Sequence, residues 1–232
     1  MSGILSGISD PEDAPQVLPL KDMALRLIVG LGNPGDEYRH NRHNLGFRVV
    51  EELARRQGLE FKPQGSSYLV AVDDGRPDRV VLLKPRTYMN RSGRAVEAWS
   101  GDSGVAVTGG PQLSEAVRPL VVCDDLNLPL GSVRLRPRGS SGGQNGLASV
   151  IEHLAGEEFP RLRLGIAPLD RDIDPSVWPD HVLADFDPEE RSVADEMVAH
   201  ATAALEFWLV HGLEPAISRF NRRVRPDPEQ TE

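Results

Sequence analysis

Between Leu25 and Phe47 the chain reads LRLIVGLGNPGDEYRHNRHNLGF, an apolar run and a glycine turn followed by Asn33, His40, Asn41, His43 and Asn44. Side chains that follow a buried strand through a tight turn project into the crevice where open α/β sheets take ligands. A histidine there titrates near neutral pH and can move a proton. Two further apolar runs end in polar groups. Val80 to Leu83 leads into Lys84-Pro85 and then Thr87, Tyr88, Met89 and Asn90, while Leu120 to Cys123 leads into Asp124 and Asp125. A carboxylate at a strand end is suited to orienting a histidine. Plainer readings stand beside these: glycine, asparagine and proline also make ordinary turns, Asn90 could cap the next helix, and Asp125 suits a solvated turn.

Three motifs point elsewhere. Gly30, Gly32 and Gly35 have the G-x-G-x-x-G spacing of a dinucleotide site, but Pro34 and nine mostly polar residues separate them from the helical pattern that should hold pyrophosphate. Gly139, Ser141 and Gly143 spell G-x-S-x-G, and several histidines follow, so the chain order permits a serine esterase using Ser141. A nucleophile elbow, however, joins its strand and helix directly, and here residues intervene on both sides. His40 and His43 with a distant aspartate fall short of a metal ligand set, so neither metal nor cofactor is expected.

The segment from Gly131 to Gly146 carries Arg134, Arg136 and Arg138 and no acid, in a chain whose 26 Lys and Arg face 35 Asp and Glu for a net charge of -9. Alternation of Val133 and Leu135 with these arginines puts cations on an exposed strand face, a local phosphate-binding surface. Asn145 is offered at the mouth of the next helix.

These groups need a frame. Strand-like runs fall at 25–29, 68–72, 80–83, 120–123, 132–136 and 161–166. Helical patterns follow from Leu45, capped by Asn44, to near Gly58, from Asn90 to about Trp99, from Gly146 to Leu154, and from Pro188 to His211. In the last, Val193, Met197, Ala201, Leu205 and Trp208 share one stripe, read as core. Alternation of the two kinds predicts one α/β domain over 23–224, with a mixed, largely parallel twisted sheet and helices on both faces. Residues 1–22 read as a flexible extension, 101–117 as a surface loop and 225–232 as a disordered tail. The single Cys123 sits in an apolar run and reads as core, which suits a reducing compartment. No apolar run approaches the ~20 residues of a membrane span, and the first residues lack a basic leader, so a cytoplasmic protein that does not engage membranes is expected.

The motifs IVGLGNPGDEY, NRHNLGF, KPRTYMNRSG, CDDLNLPLG, GGQNGL and RLRLGI, in this order from about Leu25 to Asn221, resemble the bacterial peptidyl-tRNA hydrolases. The resemblance implies a monomeric, cofactor-free enzyme that cleaves the ester between a peptide and the 3′ ribose of its tRNA, with peptidyl-tRNA as its partner. It makes His43 the catalytic histidine and Asp124 its carboxylate, joined by Asn33. Tyr38, Met89, Asn90 and Asn145 become substrate-binding residues, and Arg136 and Arg163 face the tRNA. Gln144 and Ser141 stand where relatives commonly have histidines, and Asn41 where they have a threonine. A non-catalytic RNA-binding module on the same fold is the competing reading. It gives no physical reason for His43, Asp124, Asn33 and Asn90 to occur together.

Overall fold

A computed structural model describes residues 25–75, 78–110, 116–168 and 174–224. Among the described residues there are eight strands, β1 Leu25–Gly30, β2 Lys62–Gln64, β3 Tyr68–Asp73, β4 Arg79–Pro85, β5 Leu120–Pro129, β6 Ser132–Arg136, β7 Arg161–Ala167 and β8 Arg222–Arg223. The helices are α1 Leu45–Arg56, α2 Ser92–Ser103, α3 Asn145–His153, α4 Trp178–Leu183, α5 Pro188–His211 and α6 Leu213–Phe220. The strands form one sheet in the order β2-β3-β4-β1-β5-β7-β6-β8. Its centre, β4-β1-β5-β7, is parallel, and antiparallel strands flank it on both sides. The expected mixed sheet is therefore present.

Both faces are covered, which explains why the central strands read as continuous apolar runs rather than alternating ones. Ile28, Leu82, Leu120, Val122, Leu162 and Leu164 pack with α1, α5 and α6. Their strand neighbours Leu27, Val29, Val81, Leu83, Val121 and Cys123 point the other way, onto α2 and α3. The stripe on α5 is buried along its length, and Cys123 is core. From β1 the chain first winds to β4 on one side, then crosses by α2 to β5 on the other. The carboxyl end of β1 is thus a switch point, where loops diverge and leave a crevice. The glycines of the first turn serve packing there: a Cβ on Gly30 would meet the Gly46 carbonyl oxygen of α1 at 2.5 Å.

Several boundaries move. β5 runs to Pro129, so Asp124 and Asp125 lie inside a strand rather than after it. Its pairing with β7 continues through Asp125, a pairing that no local pattern reveals. Gly101 to Ser103 belong to α2, which shortens the expected 101–117 loop; 111–115 lie outside the described residues, as do 1–22 and 225–232. Helices α4 and α6 and the short strands β2 and β8 were not anticipated, being too brief for a periodic signal.

Candidate active site

Asn33 leaves the end of β1 and is gripped on three sides. Its N–H donates to Asn44 Oδ1 at 2.7 Å, its carbonyl accepts from Asn44 Nδ2 at 3.0 Å, and its Oδ1 accepts the Met89 N–H at 2.8 Å. Asn44 therefore does not cap α1 with its side chain, as its position suggested. A short side chain before a helix is free to serve whichever backbone lies nearest, and here that is the turn after β1. The consequence is chemical: with its oxygen occupied, Asn33 presents only its Nδ2 donor to the cleft it lines.

His43 sits in a single 3-10 turn, Arg42–Asn44, immediately before α1. Its Nδ1 lies 2.8 Å from Asp124 Oδ2, and both residues are buried. A carboxylate only accepts, so the Nδ1 carries the proton and the neutral ring keeps its lone pair on Nε2, at the cleft. Burial works against the charged ring, but the negative charge and hydrogen bond of Asp124 outweigh it and hold the His43 pKa above its ordinary value. The other oxygen, Asp124 Oδ1, accepts from Gln144 Nε2 at 2.9 Å.

A cavity of about 400 Å³ opens over this pair. Asn33, His43, Asp124, Gln144, Gly142 and Gly143 form its polar end, with Met89 beneath, and the amides of Asn90 and Asn145 lie exposed at its rim. Leu126, Trp178, Val182, Leu183 and Tyr88 make an apolar wall, and Tyr88 is 59% exposed. Helix α4 supplies much of that wall. Its signal in the sequence was two large apolar residues, Trp178 and Leu183, in an acidic, proline-bearing stretch. Tyr38 lies in a 3-10 turn and is not among the residues that line the cleft. Neither asparagine caps a helix: Asn90 falls within the 3-10 turn Met89–Arg91, and Gln144 rather than Asn145 caps α3.

Two expectations change at the cationic side. Asp125 is not solvated; it is buried and accepts from Arg163 Nη1 at 2.8 Å. Arg163, whose Nη2 also bonds the Ser140 carbonyl, is thereby committed to holding the 139–143 loop. Arg134 and Arg136 on β6 are exposed and pair with no acid among the described residues. Ser141 Oγ accepts only weakly from the Gly143 N–H at 3.4 Å and meets no histidine, so the serine-esterase geometry is not assembled. His40 is exposed and lines a separate charged groove between α1 and α5.

The turn that carries His43 is anchored from far along the chain. Arg42, itself buried, donates to the carbonyls of Ala184 and Asp185 and pairs with Glu190, while its backbone N–H bonds Ala184. Its guanidinium also lies 5.1 Å from the centre of the Phe186 ring. These contacts fix the histidine's neighbour to the junction of α4 and α5.

Both the sequence and the fold resemble those of known proteins. Residues 27–228 match the family model described as peptidyl-tRNA hydrolase. The peptidyl-tRNA hydrolase of Synechococcus sp. (strain JA-3-3Ab) is 49% identical over 207 residues, covering 88% of this chain and 85% of that protein. That of Chloroflexus aggregans is 44% identical, covering 84% of this chain and 98% of the relative. A crystal structure of peptidyl-tRNA hydrolase from Acinetobacter baumannii superposes with a TM-score of 0.74 at 33% identity, covering 89% of this chain and 98% of that one. With the family match spanning residues 27–228, the chain belongs to the peptidyl-tRNA hydrolase family.

Proposed function

We propose that this chain hydrolyses the ester joining a peptide to the 3′ ribose of its tRNA, with His43 as general base and Asp124 as its orienting carboxylate. The observation that carries the reading is the ring itself: Nδ1 is tied to a buried carboxylate, and Nε2 is left facing a cleft that also holds the Asn33 Nδ2 donor. In the reaction, Nε2 takes a proton from water as the oxygen attacks the ester carbonyl carbon. Asp124 stabilises the imidazolium that forms. Negative charge collects on the former carbonyl oxygen, where Asn33 Nδ2 donates to it. The C–O bond to the ribose then breaks, and the departing 3′ oxygen takes the proton back from His43. The peptide leaves as a carboxylic acid, which gives its proton to solvent to become the carboxylate, and the tRNA is freed with its hydroxyl restored.

Asn90 and Asn145 at the rim suit hydrogen bonding to the peptide backbone, and the apolar wall around Trp178 suits its side chains. Arg136, joined by Arg134, offers its cation to tRNA phosphates, with Arg163 positioning the adjoining loop. No step calls for a metal or cofactor, and all groups come from one chain, so action as a monomer is sufficient. Since ribosomes make the substrate, the cytoplasm is the place of work.

The test is release of tRNA from an N-blocked aminoacyl-tRNA by the wild-type chain, by His43→Ala and in the presence of EDTA. Activity that is lost in the variant and indifferent to EDTA is the expected result. No release by the wild type would overturn the enzyme reading, full activity in the variant would remove His43, and loss with EDTA would bring in a metal.

A further inference from the structure

Both ends of the Gln144 side chain are committed. Its Oε1 accepts the Leu147 N–H in the first turn of α3 at 2.7 Å, and its Nε2 donates to Asp124 Oδ1 at 2.9 Å while lying 3.3 Å from Met89 Sδ. A backbone N–H can only donate, so it fixes the oxygen end of the amide, and the NH2 end must then face the carboxylate. We infer that Gln144 is a positioning residue for the hydrolysis, a neutral donor that locks the plane of the Asp124 carboxylate so that Oδ2 stays on His43 Nδ1. This rests on the ester-hydrolysis reading above.

A carboxylate held by one hydrogen bond can swing about its terminal torsion, which is broad and roughly two-fold. Held at both oxygens, it cannot. The orientation of the histidine is thus inherited from the start of a helix, through Leu147 N–H, Gln144, Asp124 and His43 in turn. The amide also brings no titration of its own. Among the described residues, the titratable groups lining the cleft are His43, Asp124, Asp125 and Tyr88, and Asp125 is paired with Arg163. Around them, the Cys123 thiol is kept neutral by burial, Arg42 is occupied by Glu190 and Asp187, and His181 of α4 is bonded to the Ile166 carbonyl. The wild-type rate should therefore rise with pH along one limb, set by His43.

Two variants separate positioning from helix capping. Gln144→Ser keeps a good cap, since serine can accept the helix N–H, but it cannot reach Asp124. Gln144→Glu keeps the cap and suits the helix N-terminus. When protonated it can still donate to Asp124; once ionised it sets a like charge against that carboxylate. For Gln144→Ser, kcat should fall about ten- to a hundredfold with KM changed by less than about twofold. For Gln144→Glu, a wild-type-like rate at low pH should give way to a falling limb as pH rises, making the profile bell-shaped. A residue that merely caps α3 would give wild-type kcat and an unaltered profile in both folded variants, and that result overturns the inference. Should neither variant fold, the wild type decides by NMR: the Gln144 side-chain amide signals should move with the titration of His43, and signals that stay flat refute it. A wild type that releases no tRNA would instead dispose of the hydrolysis reading, so the two failures are distinguishable.

Discussion

Replacing Asp124 by asparagine turns the direction of every hydrogen bond in the dyad into a measurable rate. The substituted amide has one acceptor and one donor end, and its neighbours decide which way it lies. Gln144 can offer only its NH2 on that side, because its oxygen is held by the Leu147 N–H. The new oxygen must face Gln144, and the new NH2 must face His43 Nδ1. The ring is then forced to accept at Nδ1 and carry its proton on Nε2, the nitrogen that should take a proton from water. A general base supplies about 10²- to 10⁴-fold, and a wrong tautomer removes all of it. Elsewhere such a swap costs about 10⁴-fold, or ~5.4 kcal/mol of transition-state stabilisation. Single-turnover release of tRNA should therefore show Asp124→Asn falling to the level of His43→Ala, with the double variant no slower than either. The pH profile adds a sign. In the wild type the charge of Asp124 raises the His43 pKa, so activity should grow as pH climbs through a midpoint above the ordinary value of 6.5. In Asp124→Asn only burial remains, and whatever activity survives should titrate below that value. A variant keeping more than about a tenth of wild-type kcat, far above the loss expected of a disabled base, would refute the argument, as would additive losses in the double variant.

Asn33→Asp replaces the amide donor proposed for the developing oxyanion with a second acceptor; kcat should drop about 10²- to 10³-fold with KM little changed, read by steady-state kinetics. Asn44→Ala removes both bonds to the Asn33 backbone and leaves its buried N–H and carbonyl without partners, so thermal or urea unfolding should show a loss of about 1–3 kcal/mol. Arg136→Ala should weaken tRNA binding and lower the slope of log K against log salt by about 1, measured by filter binding across a salt series; an unchanged slope would exclude a phosphate contact.

The parts of this molecule that were legible in its sequence are those with a local signal. Buried parallel strands announce themselves as apolar runs such as Leu25 to Val29, and α5 by a stripe recurring over about four turns, from Val193 to Trp208. The dyad was legible only through several motifs taken together, because His43 and Asp124 stand 81 residues apart and nothing near either names the other. Polar side chains with a choice of partner were the least legible. Asn44 looked like a cap and became a brace, Asp125 looked solvated and became half of a buried ion pair, and Arg163 was drawn inward by it. Which partner such a group takes depends on what the fold brings within 3 Å, and local sequence does not contain that.

The anchoring of Arg42 bears on how this chain becomes active as it is made. Both members of the dyad lie in the first 124 residues, but the residues that hold the histidine's turn, Ala184, Asp185 and Glu190, are more than 140 positions beyond Arg42. Contacts of such long sequence separation close late. A nascent chain emerging from the ribosome would expose His43 and Asp124 well before the clasp around Arg42 could form. The contacts that fix the turn carrying His43 therefore cannot form until the chain has been made past Glu190.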